Sequence, residues 1–106
     1  MSKLNFSEAL ERISEGHHVT SDDVQSRALQ RFVWVAEWHI PGCLSESQSY
    51  CLTKRDAIDS ALDMCCHVRG ARSDLTRYGR TDRVSPDAYV SMAITTVSRM
   101  QLRELF

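Results

Sequence analysis

The sequence predicts an α+β fold, predominantly helical, with one two-stranded antiparallel β-hairpin. Three observations predict it: repeated helix-capping signatures, one segment of alternating side chains, and the absence of internal repeats or flexible linkers in 106 residues. A chain of this length buries a single hydrophobic core. We therefore expect one compact domain over residues 1–106, in α-α-β-β-α-α order with a short helical piece before the last helix.

Two helices are predicted before the first strand. Asn5 followed by Glu8 forms a capping box, in which each residue satisfies a backbone N–H of the other. Thr20 with Asp23 repeats the signature and opens a shorter helix that ends near Gln30. The apolar residues that follow the first box at helical spacing are Phe6, Ala9, Leu10 and Ile13.

The period changes from 3.6 to 2 in the segment RFVWVAEWHI. The two alternating sets are Phe32, Trp34, Ala36, Trp38 and Ile40, and Val33, Val35, Glu37 and His39. β-Branched and aromatic residues of this kind favour a strand. PGCLSES then turns the chain, and SQSYCL returns as a shorter strand. The sequence therefore predicts a hairpin whose two tryptophans fill the core under the helices.

A third helix follows the hairpin. Thr53 and Asp56 form its capping signature, and its apolar residues run toward Gly70. Ser73 can cap a short helical piece that Gly79 ends. The apolar stripe of the third helix comprises Ile58, Ala61, Leu62 and Cys65.

A long amphipathic helix is predicted at the end of the sequence. Ser85 before Pro86 is the favoured pairing of N-cap and first helical residue. Apolar residues then recur at intervals of three and four, which indicates one buried helical face. They are Tyr89, Ala93, Val97 and Met100, flanked by Val90, Met92 and Ile94.

The charge of the chain is unevenly distributed although its formal net value is only −1. Residues 1–66 hold six Lys/Arg against ten Asp/Glu, whereas residues 67–106 hold seven Arg against four Asp/Glu. An acidic mimic of DNA and a basic coat for it are both excluded by the net value. The positive charge of the second half consists entirely of arginine.

The sequence indicates the cytosol as the location of the protein. Its beginning, MSKLNFSEALERISEG, lacks the apolar core of a secretory signal, and no window resembles a membrane span. Cysteines stay reduced in that compartment, so we expect free thiols rather than disulfides. The four cysteines are Cys43, Cys51, Cys65 and Cys66.

Neither a metal site nor an enzyme active site is predicted. The cysteine spacing does not fit the short Cys-x-x-Cys knuckles of zinc sites, and adjacent Cys65, Cys66 and His67 diverge on a helix. Phosphate-binding and hydrolase motifs are absent, and the carboxylates serve as caps or lie on a solvent face. We expect a protein without enzymatic activity and without a cofactor.

The most unusual segment is RGARSDLTRYGRTDR, residues 69–83, which we call the arginine stretch. Its five arginines face only two aspartates. Guanidinium groups match phosphate oxygens and stack on bases, and a tyrosine adds a stacking surface. The predicted contacts to single-stranded nucleic acid are Arg69, Arg72, Arg77, Tyr78, Arg80 and Arg83.

Two alternatives remain for this chain. The arginines could pair with the acidic residues of the first half and form a solvated connector. Alternatively, the protein is an interaction module that docks on a protein subunit through the hairpin face or the C-terminal helix. An open hairpin face would present Val33, Val35 and Tyr50.

In size and general make-up, and in the hairpin followed by a capped helix at FVWVAEWHIPGCLSESQSYCLTKRDAIDSAL, the chain resembles the small anti-CRISPR proteins of phages and mobile elements directed at type I-E systems. That family shares no common motif, so it assigns no residue. The resemblance implies a non-enzymatic inhibitor of a type I CRISPR effector complex. The charge distribution favours contact with single-stranded nucleic acid exposed in that complex, such as the displaced strand.

Overall fold

Four helices of α type and a four-stranded antiparallel sheet form the fold in the computed structural model, which describes residues 2–42, 45–85 and 93–106, with only the backbone of residues 45 and 46. The elements are α1 (Phe6–Ser14), a 3₁₀ helix (Ser21–Asp23), α2 (Ser26–Leu29), β1 (Phe32–His39), β2 (Ser45–Cys51), α3 (Lys54–Met64), α4 (Ala71–Tyr78), β3 (Arg80–Thr81), β4 (Ile94–Gln101) and a second 3₁₀ helix (Leu102–Leu105). The strand order is β2-β1-β4-β3. The α+β class is confirmed, but the prediction of a single two-stranded hairpin is wrong.

The error lies in the predicted C-terminal helix, since residues 94–101 form strand β4. Positions i and i+4 share a face in a helix and also in a strand, so the spacing of Ala93 and Val97 fits both. The side chain between them decides, because Thr95 is buried together with Ala93 and Val97, as a period of two requires. Four consecutive β-branched residues, Ile94 to Val97, also favour a strand. The predicted start of the helix, at residues 86–92, lies outside the described residues.

Helix caps predicted from the sequence are present at α1 and α3. The Asn5 side chain accepts a hydrogen bond from the Glu8 N–H at 2.8 Å, and Glu8 accepts from the Asn5 N–H at 3.1 Å. Thr53 caps α3 through the Asp56 N–H. The Thr20 and Asp23 signature opens a 3₁₀ turn, which is followed by the four-residue helix α2.

The predicted hairpin is confirmed, with antiparallel register from Trp34 opposite Cys51 to His39 opposite Ser45. A register irregularity falls between Trp38 and His39, next to the long turn. Trp34 is half-buried against the helices, and Val35 is 2 % exposed, so both faces of β1 carry buried side chains.

The chain divides into two compact units, Met1–Val33 with Arg99–Phe106 and Trp34–Ser98. In the second unit, α3 and α4 pack on one face of the strands. Their shared core comprises Ala36, Ala57, Ile58, Ala61, Leu62, Cys65, Ala71, Leu75 and Val97. The expectation of one domain over residues 1–106 stays a prediction.

Helix α4 ends where it meets the edge of the sheet. Gly79 adopts φ +67°, a left-handed conformation that ends the helix as predicted, and its carbonyl accepts a hydrogen bond from the Val97 N–H at 2.8 Å. A β-carbon at position 79 would lie 2.7 Å from the Val97 carbonyl oxygen. The N-terminal end differs from the prediction, because α4 begins at Ala71 after Gly70 rather than at a Ser73 cap.

Gly79→Ala should destabilise the protein more than Gly16→Ala. Both glycines have positive φ, but nothing lies within 4 Å of a β-carbon built at Gly16. The left-handed backbone costs about 1 kcal/mol for alanine at either position, and the clash with Val97 raises the cost at Gly79 to at least about 2 kcal/mol. Urea unfolding of both variants measures this difference, and equal losses would contradict the contact described for Gly79.

Candidate nucleic-acid interface

All six predicted contact residues lie at the surface of the second unit, on or beside α4 and β3. Arg69 precedes α4, and Arg83 follows β3. The side chains on these two elements are Arg72, Arg77 and Tyr78 on α4 and Arg80 on β3. Each of the six is exposed, and Tyr78 is 74 % exposed. The arginine stretch therefore presents its charge outward.

Helix α4 sets the directions of these side chains because its apolar residues, Ala71 and Leu75, are fully buried. The remaining positions must face solvent. Arg72 and Arg77 are five residues apart, which separates them by about 140° around the helix axis. The two guanidinium groups consequently leave the helix on different sides, and Arg77 lies next to Tyr78 at the end that leads into β3.

Two of the five arginines form ion pairs with the protein's own carboxylates. Arg83 Nε donates to Asp74 Oδ2 at 2.7 Å, and the same oxygen accepts from the Thr81 hydroxyl at 2.9 Å. Arg72 Nη2 lies 3.2 Å from Asp59 Oδ1, with both side chains more than half exposed. The Arg83 pair ties the end of β3 to α4, whereas the Arg72 pair is a surface contact of small energetic value.

The pKa of Asp74 lies below its ordinary value. The principal cause is the hydrogen bond from Arg83, and the bond from Thr81 adds to it. Both donors stabilise the ionised carboxylate, so Asp74 stays charged and keeps Arg83 in place.

The other three arginines, Arg69, Arg77 and Arg80, form no ion pair with any carboxylate that the structure describes. They are the cations of the stretch whose charge is not neutralised locally. Among the described residues, the alternative of pairing with the acidic first half thus applies to Arg72 through Asp59, whereas Arg83 pairs with Asp74 of the arginine stretch itself.

Lys54 joins this surface from the start of α3. Its Nζ donates to the Thr76 carbonyl at 3.4 Å and lies 5.8 Å from the centre of the Trp34 ring. The sequence signals this contact only through the basic pair that opens α3. It does not indicate where that pair lies relative to α4. Lys54 thus adds to this surface a cation that has no ion pair with a described carboxylate. It lies at Thr76, two residues before Tyr78 on α4.

The remaining reactive groups do not form a site in the described part of the chain. No three His, Cys, Asp or Glu side chains there lie together as a metal site would require. Burial raises the pKa of the Cys65 thiol, which makes it a poor nucleophile, while Cys66 is exposed and Cys51 half-buried, all as free thiols. Cys43 lies outside the described residues. His67 Nε2 lies 2.8 Å from Asp63 Oδ1 on the surface.

No described helix is long and apolar enough to cross a membrane.

Comparison with known proteins adds no relative: no family, no curated protein and no solved structure matches this chain.

The Asp74 bonds predict a pH dependence of stability. Because the folded pKa of Asp74 lies below its unfolded pKa, the bonds stabilise the protein above the unfolded value and lose their effect as pH falls through the folded value. The difference in free energy of unfolding between wild type and Asp74→Asn should therefore hold constant from about pH 7 to pH 5 and shrink below about pH 4.

Urea unfolding at a series of pH values measures this difference. Asp82→Asn is the matched control, since Asp82 is exposed and has no described partner. A difference for Asp74→Asn that does not change down to about pH 2.5 would show that the folded and unfolded pKa values are equal.

Proposed function

We propose that the protein binds single-stranded nucleic acid through the arginine stretch, with Arg69, Arg77, Arg80 and Tyr78 as the principal contacts. The observation that carries the proposal is the exposure of these three guanidinium groups without a described carboxylate partner, beside an aromatic ring that is 74 % exposed. Arginines without a partner are free to pair with phosphate oxygens. The tyrosine ring offers a stacking face for any unpaired base.

Arg72 and Arg83 have different parts in this proposal. Arg83 is held by a short bond to Asp74, whose side chain is 22 % exposed, and its task is to fix β3 against α4. Arg72 is more exposed, and its 3.2 Å pair with Asp59 can be exchanged for a phosphate at little cost. We therefore assign Arg83 a structural role and Arg72 a secondary contact.

A binder without enzymatic activity, located in the cytosol, suits the inhibitor that the resemblance implies. In a type I CRISPR effector complex, the ligand of such a surface would be the single strand displaced during target opening. The basic second half of the chain supports contact with that strand rather than mimicry of DNA. The assignment of the displaced strand as the biological ligand rests on the binding activity proposed above.

Docking on a protein subunit is the alternative, but the structure differs from the sequence-based expectation at both of the surfaces suggested for docking. Residues 94–101 form β4, so they offer no C-terminal helix as a docking element. Val33 and Val35 are 0 % and 2 % exposed, so they offer no open apolar hairpin face. Copurification of a protein partner after complete nuclease treatment would support docking instead of nucleic-acid binding.

Replacement of Arg77 and Arg80 by alanine should weaken the salt dependence of binding. Each phosphate contact on a single strand contributes about 0.7 to the slope of log K against log salt concentration. The double variant should therefore lose about 1.4 of that slope, measured by fluorescence anisotropy with a labelled oligothymidylate at several salt concentrations.

Arg72→Ala is the matched control because it removes the same charge from α4. The pair with Asp59 already neutralises Arg72, so its removal should change the slope less than removal of Arg77 alone. Equal changes would contradict the distinction between paired and unpaired arginines, and no binding of wild type to any oligonucleotide would end the proposal.

Tyr78→Ala should lower the affinity without changing the salt slope. A base stacked on an aromatic ring is worth about 1–3 kcal/mol, and the loss carries no charge. The same anisotropy titration, repeated with Tyr78→Phe, separates the ring from its hydroxyl, since phenylalanine keeps the stacking face. Loss of affinity in the phenylalanine variant would contradict a stacking role.

A further inference from the structure

A second group of arginines and phenylalanines lies in the first unit. Its arginines come from α2, the segment between α2 and β1, the end of β4 and the second 3₁₀ helix, so they are up to 76 residues apart in the sequence, and its phenylalanines come from α1 and β1. We call this group the second arginine cluster: Arg27, Arg31, Arg99 and Arg103, with Phe6 and Phe32. All four arginines are exposed.

Hydrogen bonds bring the two ends of this unit together. The Leu102 N–H donates to the Arg31 carbonyl at 2.9 Å, and the Gln101 side-chain amide donates to the Gln30 carbonyl at 3.1 Å. The Gln101 side-chain oxygen accepts from Arg103 Nε at 2.7 Å. One glutamine side chain therefore holds Arg103 beside the residues that follow α2.

Two of the arginines lie on aromatic rings. The Arg31 guanidinium carbon is 4.3 Å from the centre of the Phe6 ring, and that of Arg99 is 4.2 Å from the centre of the Phe32 ring. Phe6 is buried, whereas Phe32 remains 48 % exposed. Arg31 is exposed and can pair with phosphate oxygens, and the exposed part of the Phe32 ring beside Arg99 can stack on a base.

Three of the four arginines of the cluster have no ion-pair partner among the described carboxylates. Arg27, Arg31 and Arg103 form no ion pair with a described carboxylate, and the nearby Glu104 accepts instead from the Gln101 N–H at 2.7 Å. Beside α2 lies a cleft of about 290 Å³, which offers both charged and amide donors. Its lining is Asn5, Phe6, Gln25, Arg27, Ala28 and Arg31.

We propose that the second arginine cluster is a further binding site for single-stranded nucleic acid, in which Arg27 and Arg31 contact the phosphate backbone and Phe32 with Arg99 stacks against a base. Planar donor groups beside the exposed ring of Phe32 favour a nucleic acid over an acidic protein segment, which would need cations but no stacking face. The cleft beside α2, at about 290 Å³, lies near the lower end of the volumes of small-ligand sites. This site uses none of the residues of the arginine stretch, so it extends the proposed function.

Double variants separate the two sites. We compare wild type, Arg27→Ala with Arg31→Ala, Arg77→Ala with Arg80→Ala, and the combination of all four in anisotropy titrations with labelled oligothymidylate. Loss of two phosphate contacts should lower the salt slope by about 1.4 and the affinity at 0.1 M salt on the order of 25-fold. Arg12→Ala is the charge control, because Arg12 lines a surface cleft with Glu8, Glu11 and Glu15.

The outcomes distinguish the two proposals. An unchanged slope and affinity in the Arg27 and Arg31 variant, with a loss in the Arg77 and Arg80 variant, would overturn the second site and leave the first. The reverse result would support the second site and overturn the first. The affinity of the Arg27 and Arg31 variant for an oligoglutamate of equal charge is a further comparison. If this variant loses as much affinity for oligoglutamate as for the oligonucleotide, or more, the assignment to nucleic acid is overturned. Absence of binding by wild type would overturn both sites.

Conservative variants keep the test valid if the alanine variants fail to fold, as judged by circular dichroism. Arg27→Lys with Arg31→Lys retains both charges but loses the planar groups. The salt slope should then stay within about 0.3 of wild type while affinity falls several-fold, since lysine neutralises phosphates but lacks the planar donor fork that pairs with two phosphate oxygens. Wild-type affinity in this variant would overturn the planar pairing of Arg27 and Arg31 with phosphate oxygens.

Discussion

The junction between α4 and the edge of the sheet is the contact on which the rest of the second unit depends. The helix ends at Gly79, whose carbonyl accepts a hydrogen bond from the Val97 N–H. The chain then pairs with β4 at Thr81. The Thr81 hydroxyl and Arg83 meet at Asp74, one turn back along α4. One carboxylate thus fixes helix, turn and strand, while Arg77 and Arg80 are exposed and form no ion pair with a described carboxylate.

The sequence predicted those parts of the fold whose signals are local. The Asn5 and Thr53 caps, the alternation of β1 and the stop at Gly79 each depend on residues within one turn or one strand. Strand β4 was missed because residues four apart share a face in both regular structures, and buried Thr95 carries no hydrophobic signal. The four-stranded sheet followed from that strand, so its order could not be predicted from the hairpin alone.

For the candidate site, the sequence predicted that the arginines are exposed, but it did not predict their ion-pair partners. The Arg72 partner, Asp59, is thirteen residues away on another helix, and the sequence gives no reason to prefer it over other carboxylates. The second arginine cluster was not predicted at all. Its halves meet through the hydrogen bonds from Gln101 to Gln30 and from Leu102 to Arg31, which join residues far apart in sequence, and neither half alone has an unusual charge density. The local composition of the sequence therefore reveals the arginine stretch, whereas only the tertiary structure reveals the second arginine cluster.

The central claim is that unpaired arginines bind the ligand while the arginine bonded to Asp74 holds the fold. Arginine Nε–Hε resonances followed by NMR during an oligothymidylate titration test it most directly. The account predicts that the Nε signals of Arg77 and Arg80 shift progressively, whereas that of Arg83 keeps its position because its donor stays on Asp74. A shift of the Arg83 signal with no change at Arg77 and Arg80 would contradict the account.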